Sequence, residues 1–402
     1  MSVPRIAILG AGIMGTSTAL FLARGGARVT LFDAAPVPLA GASRWNEGKI
    51  HLGYLYAADP SLHTAERLLP GGLAFRRLIE TLVSSPIDQA LSEADELYLV
   101  HRDSVVDADA AGRYYETVTA LAAAHPDASS YLTPVNGARV QRLTQAELGA
   151  MCDTTQITAG FRVAERSVST GWIADRLVQA LAAEPLIELR MDARVTGVAT
   201  GPHGLRGPLS VRLGAGTEGP FAAVVNALWE GRLAVDASLG LAPPALWSHR
   251  YRVSVFLRTT RPVTVPSAVI ATGPFGDAKN YNGRDLYLSW YPAGLLAEGH
   301  GVAPPSLPTL DDAAHAQLAD DVLARLGTVL PWVTSLASLT RTRRIAGGWV
   351  YAEGRGPLDD ARSTLHRRDR IGIKREGRYV SVDTGKYSIA PWLARTIADD
   401  LL

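Results

Sequence analysis

The sequence predicts an α/β protein that combines two domains. One is a Rossmann-like nucleotide-binding domain with a central parallel sheet and helices, and the other is an α+β domain built on a mostly antiparallel sheet. Three observations predict this architecture. A strand, a glycine-rich turn, a helix and a second strand follow one another over residues 5–34. A second glycine turn precedes an amphipathic helix within residues 379–401. The stretch SHRYRVSVFLRTT, which opens residues 247–337, alternates charged and apolar positions as a half-buried strand does.

The first segment, RIAILGAGIMGTSTALFLARGGARVTLFDA, has the spacing of a dinucleotide-binding turn. Residues 6–9 form an apolar run, which is typical of a parallel strand covered on both faces. Gly10 permits the tight turn that follows, and Gly12 lets the backbone approach a pyrophosphate. Gly15 lets the helix pack closely against the strand. A nucleotide with two phosphates is therefore the expected ligand.

The end of this segment narrows the choice of nucleotide. Asp33 closes the second strand eighteen positions after Gly15, where a carboxylate accepts hydrogen bonds from a ribose diol. Free N–H groups at the start of the helix, around Ile13 and Met14, would hold the phosphates. An acid at position 33 disfavours a 2′-phosphate and therefore NADP. The motif alone leaves NAD and FAD open.

Composition excludes several other classes of function. A chain of 402 residues suggests two or three domains, and a formal net charge of +1 gives no general attraction to nucleic acid or anionic membranes. No run of eighteen apolar residues is present, so we expect no membrane span. Cys152 is the single cysteine, and no Cys/His cluster is available to hold a structural metal. We expect a cytoplasmic protein without a metal.

The stretch GASRWNEGKIHLGYLY, residues 41–56, separates NAD from FAD. An NAD dehydrogenase would continue with another helix and strand here. This stretch instead resembles the flavoprotein family of D-amino-acid oxidase, glycine oxidase, sarcosine oxidase and 2-hydroxyglutarate dehydrogenase, which has a glutathione-reductase-type FAD-binding fold. The resemblance implies that Ser43 and Arg44 lie near the FAD pyrophosphate. It also implies that Trp45 and three further residues approach the isoalloxazine: Asn46, Gly48 and Lys49.

The resemblance recurs at three later places and spans most of the chain. Residues 192–199 resemble the strand that meets the adenine side of FAD, around Val195. Residues 222–234 resemble an apolar strand that ends in Asn-Ala. Residues 379–401 resemble the C-terminal strand, glycine turn and closing helix, whose turn would face the flavin pyrimidine and stabilise negative charge there. The cofactor-binding residues implied by these segments are Asn226, Ala227, Thr384, Gly385, Lys386 and Tyr387.

These placements imply a discontinuous organisation. We expect residues 1–83, 148–246 and 338–402 to form the FAD-binding domain. Residues 84–147 and 247–337 lack a repeated strand–helix–strand pattern and would form the substrate-binding domain. Antiparallel strands in the family build the sheet that covers the flavin, so the substrate would bind between this sheet and the cofactor.

Position on the covering sheet suggests the substrate-binding residues. Tyr281, Tyr287 and Trp290 are aromatic residues that could form walls of the substrate site, although strand alternation turns some of them away. Arg343 and Arg344 lie where family members often place an arginine that binds a substrate carboxylate. This chain lacks the usual Arg-Pro pattern there, so a solvated arginine stays an equal alternative.

Four residues are candidates for catalysis: Lys49, His51, Tyr291 and Arg344. Lys49 would face flavin N5, steady the charge of the reduced flavin and assist oxygen, unless it forms a surface salt bridge. His51 would accept a proton, unless it is structural. No GxSxG or HExxH motif or reactive cysteine is present, and hydride transfer to a flavin needs none of them.

The sequence therefore predicts an FAD-dependent oxidoreductase that takes a hydride from a carbon next to an amine, with O₂ or an electron carrier reoxidising the flavin. A 2-hydroxy-acid or alcohol dehydrogenase is the first alternative, and a flavin monooxygenase or a non-enzymatic nucleotide-binding protein ranks below it. The partner is a small molecule, an amine or a hydroxy acid. We expect non-covalent FAD, because Cys152 is distant from the flavin segments and Asn46 follows Trp45.

Overall fold

The fold is organised around two large β-sheets. In the computed structural model, which describes residues 3–214 and 216–402, the strands form a nine-stranded, a six-stranded, a three-stranded and a two-stranded sheet. The strands, numbered in chain order, are β1 (Arg5–Leu9), β2 (Arg28–Phe32), β3 (Lys49–Ile50), β4 (Glu96–His101), β5 (Gln141–Arg142), β6 (Ile157–Val163), β7 (Arg166–Ser167), β8 (Ile187–Arg190), β9 (Val195–Gly201), β10 (Gly204–Leu213), β11 (Gly216–Phe221), β12 (Ala223–Asn226), β13 (Ser248–Thr259), β14 (Ala268–Ala271), β15 (Gly276–Asn280), β16 (Asp285–Trp290), β17 (Leu295–Gly299), β18 (Thr340–Ala352), β19 (Gly372–Glu376) and β20 (Tyr379–Asp383).

Helices cover these sheets. They are α1 (Ile13–Arg24), α2 (His63–Val83), α3 (Ala108–Ala124), α4 (Gln145–Met151), α5 (Thr170–Ala182), α6 (Arg232–Ser238), α7 (Tyr291–Gly294), α8 (Asp312–Val329), α9 (Trp332–Ser335) and α10 (Ala390–Leu401). Side chains cap the starts of two helices. Asp107 accepts hydrogen bonds from two amides of the first turn of α3, and Asp311 accepts one from the amide of Ala314 in α8. None of the helices in the described part of the chain is long and apolar enough to cross a membrane.

The six-stranded sheet has the order β19-β20-β12-β1-β2-β8, and its strands are parallel except for β19. Strand β1 shows why its sequence is apolar throughout. Ile6 and Ile8 pack with helices α1, α2 and α10, whereas Ala7 and Leu9 pack towards the three-stranded sheet of β9, β10 and β11. Both faces of the sheet are buried, which confirms the predicted parallel sheet with helices.

The nine-stranded sheet is mostly antiparallel, with one parallel pair between β14 and β4. Strand β13 pairs with β18 along one edge and with β17 and then β16 along the other. Helices α8 and α9 cover one face of this sheet. Strands β6 and β18 belong to this sheet, although they lie in segments assigned from sequence to the FAD-binding domain. The predicted domain boundaries stay a prediction.

Gly15 lies where α1 meets β1. A Cβ atom there would overlap the backbone carbonyl oxygen of Gly10 and come 3.1 Å from the side chain of Ile8. The helix therefore approaches the strand more closely than any side chain at position 15 allows. This contact fixes the direction of α1 relative to the glycine turn.

We expect Gly15→Ala to lower the free energy of unfolding by about 3 kcal/mol or more, because the added methyl group meets a backbone atom that cannot move independently. Urea unfolding followed by circular dichroism measures the loss. Gly171→Ala is the control, since Gly171 lies in the first turn of α5 with open space around it and should gain up to about 1 kcal/mol. Equal midpoints for the two variants would contradict the close contact.

Candidate active site

Two adjoining cavities lie between the sheets. The larger has a volume of about 770 Å³ and the smaller about 220 Å³. Five residues line both of them: Glu47, Lys49, Val350, Arg368 and Lys386. The two cavities therefore meet at a common wall, which we call the junction.

The larger cavity brings together the glycine turn, the segment after β2 and the C-terminal turn. Asp33 accepts hydrogen bonds from the amides of Ala11 at 2.6 Å and Ala35 at 2.8 Å. Ser43 Oγ accepts one from the amide of Ile13 at 2.9 Å, which ties the segment to the start of α1. The sequence-predicted residues that line this cavity are Gly10, Gly12, Ile13, Met14, Asp33, Ser43, Asn46, Lys49, His51, Val195, Ala227, Thr384, Gly385, Lys386 and Tyr387.

Other residues predicted to bind the cofactor do not line the larger cavity. Gly15 packs against the glycine turn, and a Cβ atom at Gly48 would overlap the carbonyl oxygen of Val168. Arg44 forms an ion pair with Asp175 at 2.7 Å. Trp45 and Asn226 complete this set, and Asn226 Nδ2 donates to the hydroxyl of Tyr379. These residues shape or support the turns that carry the lining residues.

The predicted substrate-side residues divide in the same way. Tyr287 and Tyr291 line the smaller cavity, whereas Tyr281 lies behind it and donates from its hydroxyl to the carbonyl of Glu47 at 3.1 Å. Trp290 packs in the core under α8, because strand alternation points it to the opposite face of the sheet.

Arg343 and Arg344 do not reach either cavity. Arg343 forms a surface ion pair with Asp320, and the guanidinium of Arg344 lies 4.4 Å from the ring centroid of Trp45. Strand β18 places both arginines on the outer edge of β13, opposite Leu257 and Phe256. The structure thus gives them no contact with a ligand in these cavities.

A buried charge network lies behind the junction. Lys49 Nζ is 3.4 Å from Glu96 and 3.6 Å from Glu165, and Lys279 Nζ is 2.6 Å from Glu96. All four side chains are at most 2% exposed. The hydroxyl of Tyr98 donates to Glu165 at 2.5 Å.

The charges of this network depend on one another. Burial alone would lower the pKa of Lys49, but Glu96 and Glu165 outweigh it and the pKa is raised, so Lys49 stays an ammonium ion. Burial would raise the pKa of Glu96, but the two lysines outweigh it and the pKa is lowered. Burial lowers the pKa of Lys279 and raises that of Glu165. Lys49 therefore carries a permanent positive charge at the junction.

Three other titratable groups line the junction or the cavity beside it. Burial lowers the pKa of Lys386 to about 8. Burial also holds the pKa of His51 well below its usual range, helped by the positive charges of Lys386 and Lys49. Burial would raise the pKa of Glu47, but Lys386, a backbone hydrogen bond and Lys49 outweigh it, so Glu47 is a carboxylate. Neither ring nitrogen of His51 has a hydrogen-bond partner among the described residues.

The C-terminal turn is held from beneath by buried ions. Gly385 has φ +64°, and its amide donates to Asp383 at 3.0 Å. Arg232 lies 3.4 Å from Asp383 and 3.3 Å from Asp236. These contacts fix the backbone that brings Lys386 to the junction.

Sequence reasoning missed several residues that line the cavities: Glu47, Arg250, Arg252 and Arg368. Glu47 lies inside the quoted 41–56 segment, so its neighbours could have indicated it. Arg250 and Arg252 stand two positions apart on β13, and this spacing indicates one shared face. Arg368 follows a loop without a recognisable pattern, and no sequence signal indicates it.

Comparison with known proteins agrees with this geometry. The family model described as DAO, FAD-dependent oxidoreductase, matches residues 5–380. The chain belongs to the DAO family. It is therefore an FAD-dependent oxidoreductase, and FAD is its cofactor, as the sequence predicts.

Several solved structures of oxidases have a similar fold. Glycine oxidase from Geobacillus kaustophilus has a TM-score of 0.67 at 18% identity, covering 99% of this chain and 95% of that one. Iminodiacetate oxidase from Chelativorans sp. BNC1 has a TM-score of 0.66 at 15% identity, covering 98% and 94%. L-α-glycerophosphate oxidase from Mycoplasma pneumoniae, solved with FAD bound, has a TM-score of 0.62 at 14% identity, covering 100% and 95%.

The larger cavity fits FAD. Its volume lies within the range of cofactor sites. A Cβ atom at Gly10 would come 2.7 Å from the carbonyl of Ala227, so only glycine leaves the turn open. His51 lines this cavity, and among the described residues neither of its ring nitrogens has a hydrogen-bond partner. Cys152 is buried away from both cavities, and non-covalent attachment stays a prediction.

We expect Glu96→Gln to lower the free energy of unfolding by about 3–5 kcal/mol, because it leaves two buried lysines with one carboxylate fewer. Urea unfolding of the FAD-loaded protein measures the loss. Asp95→Asn is the matched control, since Asp95 is about one-third exposed and pairs with Arg166 at the surface, so its loss should be below about 1 kcal/mol. A Glu96→Gln variant as stable as Asp95→Asn would show that the charge of Glu96 does not stabilise the two buried lysines.

Proposed function

We propose that the protein oxidises a C–H bond next to an amine nitrogen, with the substrate bound in the smaller cavity. The observation that carries this proposal is the position of Glu47 at the junction, where a partly buried carboxylate meets both cavities. Bound FAD accepts the hydride in this class of reaction. The protein must then place the carbon at the junction, accept a proton from the nitrogen and keep out water.

Glu47 supports an amine rather than an alcohol at the junction. A carboxylate accepts hydrogen bonds from N–H groups and attracts a protonated amine, and such charged hydrogen bonds are stronger than neutral ones. Lys386 and Lys49 neighbour Glu47 and hold it in the charged form. An amine bound here would keep its nitrogen next to Glu47 while its C–H bond faces the larger cavity.

His51 supplies a neutral hydrogen-bond acceptor beside the junction. Its lowered pKa keeps the imidazole neutral at physiological pH, so one ring nitrogen has a free lone pair. Both nitrogens lack a partner in the described structure. His51 lines the larger cavity and not the smaller one, and its lowered pKa opposes uptake of a proton, so we assign it hydrogen-bond acceptance beside the junction.

The similar structures fit this assignment, and they keep one alternative open. Two of these enzymes are named after glycine and iminodiacetate, which are amines that carry carboxylates. The third is named after glycerophosphate, which is an alcohol. A neutral histidine can also accept a hydrogen bond from a hydroxyl group, so oxidation of a 2-hydroxy acid is the second candidate. We further propose O₂ or an electron carrier as the acceptor, and a reducing compartment such as the cytoplasm because the single cysteine forms no internal disulfide.

Anaerobic stopped-flow reduction of the FAD-loaded protein tests the proposal. We expect glycine, sarcosine, iminodiacetate or glutamate to bleach the flavin, and 2-hydroxyglutarate, lactate and glycerol 3-phosphate to leave it oxidised. Readmitting air then separates an oxidase from a dehydrogenase. Bleaching by the hydroxy compounds alone would favour the second candidate, and no bleaching by either panel would overturn both.

In the same assay, Glu47→Gln should raise the dissociation constant of the reactive amine about 10- to 100-fold, because a charged hydrogen bond of about 1.5–3 kcal/mol is lost. Glu298→Gln is the matched control, since Glu298 is exposed on β17 and lines neither cavity. An unchanged constant in Glu47→Gln would remove the carboxylate from amine recognition.

The pKa of Lys386 predicts a pH dependence of anion binding. The pKa is lowered, so the ammonium is present below about pH 8 and is lost above it. We expect the dissociation constant of acetate, measured by its effect on the flavin spectrum, to rise above about pH 8 by up to about tenfold per pH unit. Glu47 opposes the effects of Arg368, Lys49 and Arg250 on this pKa, so Glu47→Gln should move the rise to lower pH. Lys386→Met should abolish it, and a rise that persists in this variant would assign it to another group.

A further inference from the structure

Three arginines line the smaller cavity without a described acidic partner. Arg250 Nη1 donates to the hydroxyl of Tyr291 at 2.6 Å, and the guanidinium of Arg252 lies 4.1 Å from the ring centroid of Tyr291. Arg368 Nη1 donates to the carbonyl of Tyr351 at 2.8 Å. Each contact is to a neutral group. The Nε atoms of Arg250 and Arg252 are buried and have no partner among residues 3–214 and 216–402.

The other charges around this cavity do not compensate these arginines. Lys49 is balanced by Glu96 and Glu165, and Asp277 lies 3.6 Å from Lys279. Within the described lining, Glu47 is then the carboxylate that faces three guanidinium groups and the ammonium of Lys386. A substrate with one carboxylate and a neutral amine adds a single negative charge. Buried positive charge would remain in excess, which is costly unless an anion neutralises it.

The cavity linings divide the arginines into two groups, although the charge of Arg250 is close enough to lower the pKa of Lys386. Arg368 and Lys386 belong to the junction and so lie beside the larger cavity. Arg250 and Arg252 line the smaller cavity alone, on the same face of β13. At about 220 Å³ the smaller cavity is below the usual range for drug-sized ligands, which fits a small metabolite.

We propose that the substrate carries two acidic groups, one bound by Arg368 and Lys386 at the junction and the other by Arg250 and Arg252, which line the smaller cavity alone. This inference rests on the proposed function, since it assumes that the smaller cavity binds the substrate. Carboxylate and phosphate share the chemistry that a guanidinium pair recognises. The second group is therefore a carboxylate or a phosphate.

Matched substrate pairs test the proposal on the FAD-loaded enzyme. Glutamate against glutamine and iminodiacetate against sarcosine differ in a carboxylate, and phosphoserine against serine differs in a phosphate. Both enantiomers are used where they exist. We expect the diacid of at least one pair to have a dissociation constant at least tenfold lower in anaerobic flavin reduction, and the responding pair identifies the group. Equal constants within every pair would overturn the inference and leave the proposed function intact.

Substitution of Arg252 adds a second test. Arg252→Gln should raise the dissociation constant of the responding diacid 10- to 100-fold and change that of its monoacid less than threefold. Arg344→Gln is the matched control, because Arg344 lies on the neighbouring strand and stacks on Trp45 outside both cavities. A melting temperature equal to that of the wild type shows that Arg252→Gln is folded. Equal losses for diacid and monoacid would place Arg252 outside recognition of the second group.

Binding of unreactive anions separates failure of this inference from failure of the proposed function. Malonate, succinate and glutarate are titrated against acetate, propionate and butyrate at constant ionic strength, with the flavin spectrum as the readout. Inorganic phosphate provides the phosphate arm. We expect one dicarboxylate, or phosphate, to bind at least tenfold more tightly than the monocarboxylates and to lose this advantage in Arg252→Gln. This result without bleaching by any amine or hydroxy compound would overturn the proposed reaction while supporting the two anion sites. No such preference would overturn the two sites.

Discussion

Burial of Lys49 between Glu96 and Glu165 is the interaction on which the arrangement of the site depends. Lys49 belongs to β3, at the end of the segment that follows the nucleotide-binding β2, whereas Glu96 starts β4 of the nine-stranded sheet. Three buried charges therefore join the two large parts of the fold. A buried ion tolerates little displacement from its partner, because each charge has left water. Because Lys49 is one of the junction residues, these ion pairs also hold the junction in place.

The charge of Lys49 also affects the titratable groups that line the cavities. Lys49 stays charged and contributes to the low pKa of both Glu47 and His51, so an anion and a neutral base stand close together. Lys386 keeps its proton less firmly, since Glu47 only partly offsets its burial and its positive neighbours. The pKa of Lys49 is raised and that of Lys386 is lowered, so the environment rather than the residue type decides how firmly each lysine holds its proton.

The sequence predicted the parts of the fold that local rules determine. The apolar β1, the glycine turn, Asp33 and the C-terminal strand and helix all follow from spacing and turn chemistry, and the family match confirms the fold class. Residues set by long-range register were harder to predict. Arg343 and Arg344 were chosen by position along the chain, but the register of β18 on β13 pairs them with Leu257 and Phe256, well before Val350, the β18 residue that lines the junction.

Buried charges were equally hidden. Glu96 opens the strand-like ELYLVH, where a glutamate is typical of a solvated strand end, and only the fold brings it to Lys49 and Lys279. Arg368 becomes a cavity residue through a loop with no periodic pattern. Local composition cannot predict such partners, because they lie far apart in the chain.

The order of segments in the larger cavity has a consequence for synthesis. Its lining includes Gly10 directly after β1 and Ala227 directly after β12, and it is completed by residues 384–387, which follow β20, the strand that pairs with β12. A nascent chain on the ribosome carries the glycine turn long before it carries these last residues. The cofactor can be enclosed only after residues 384–387 have emerged, so closure of its site is a late step of folding.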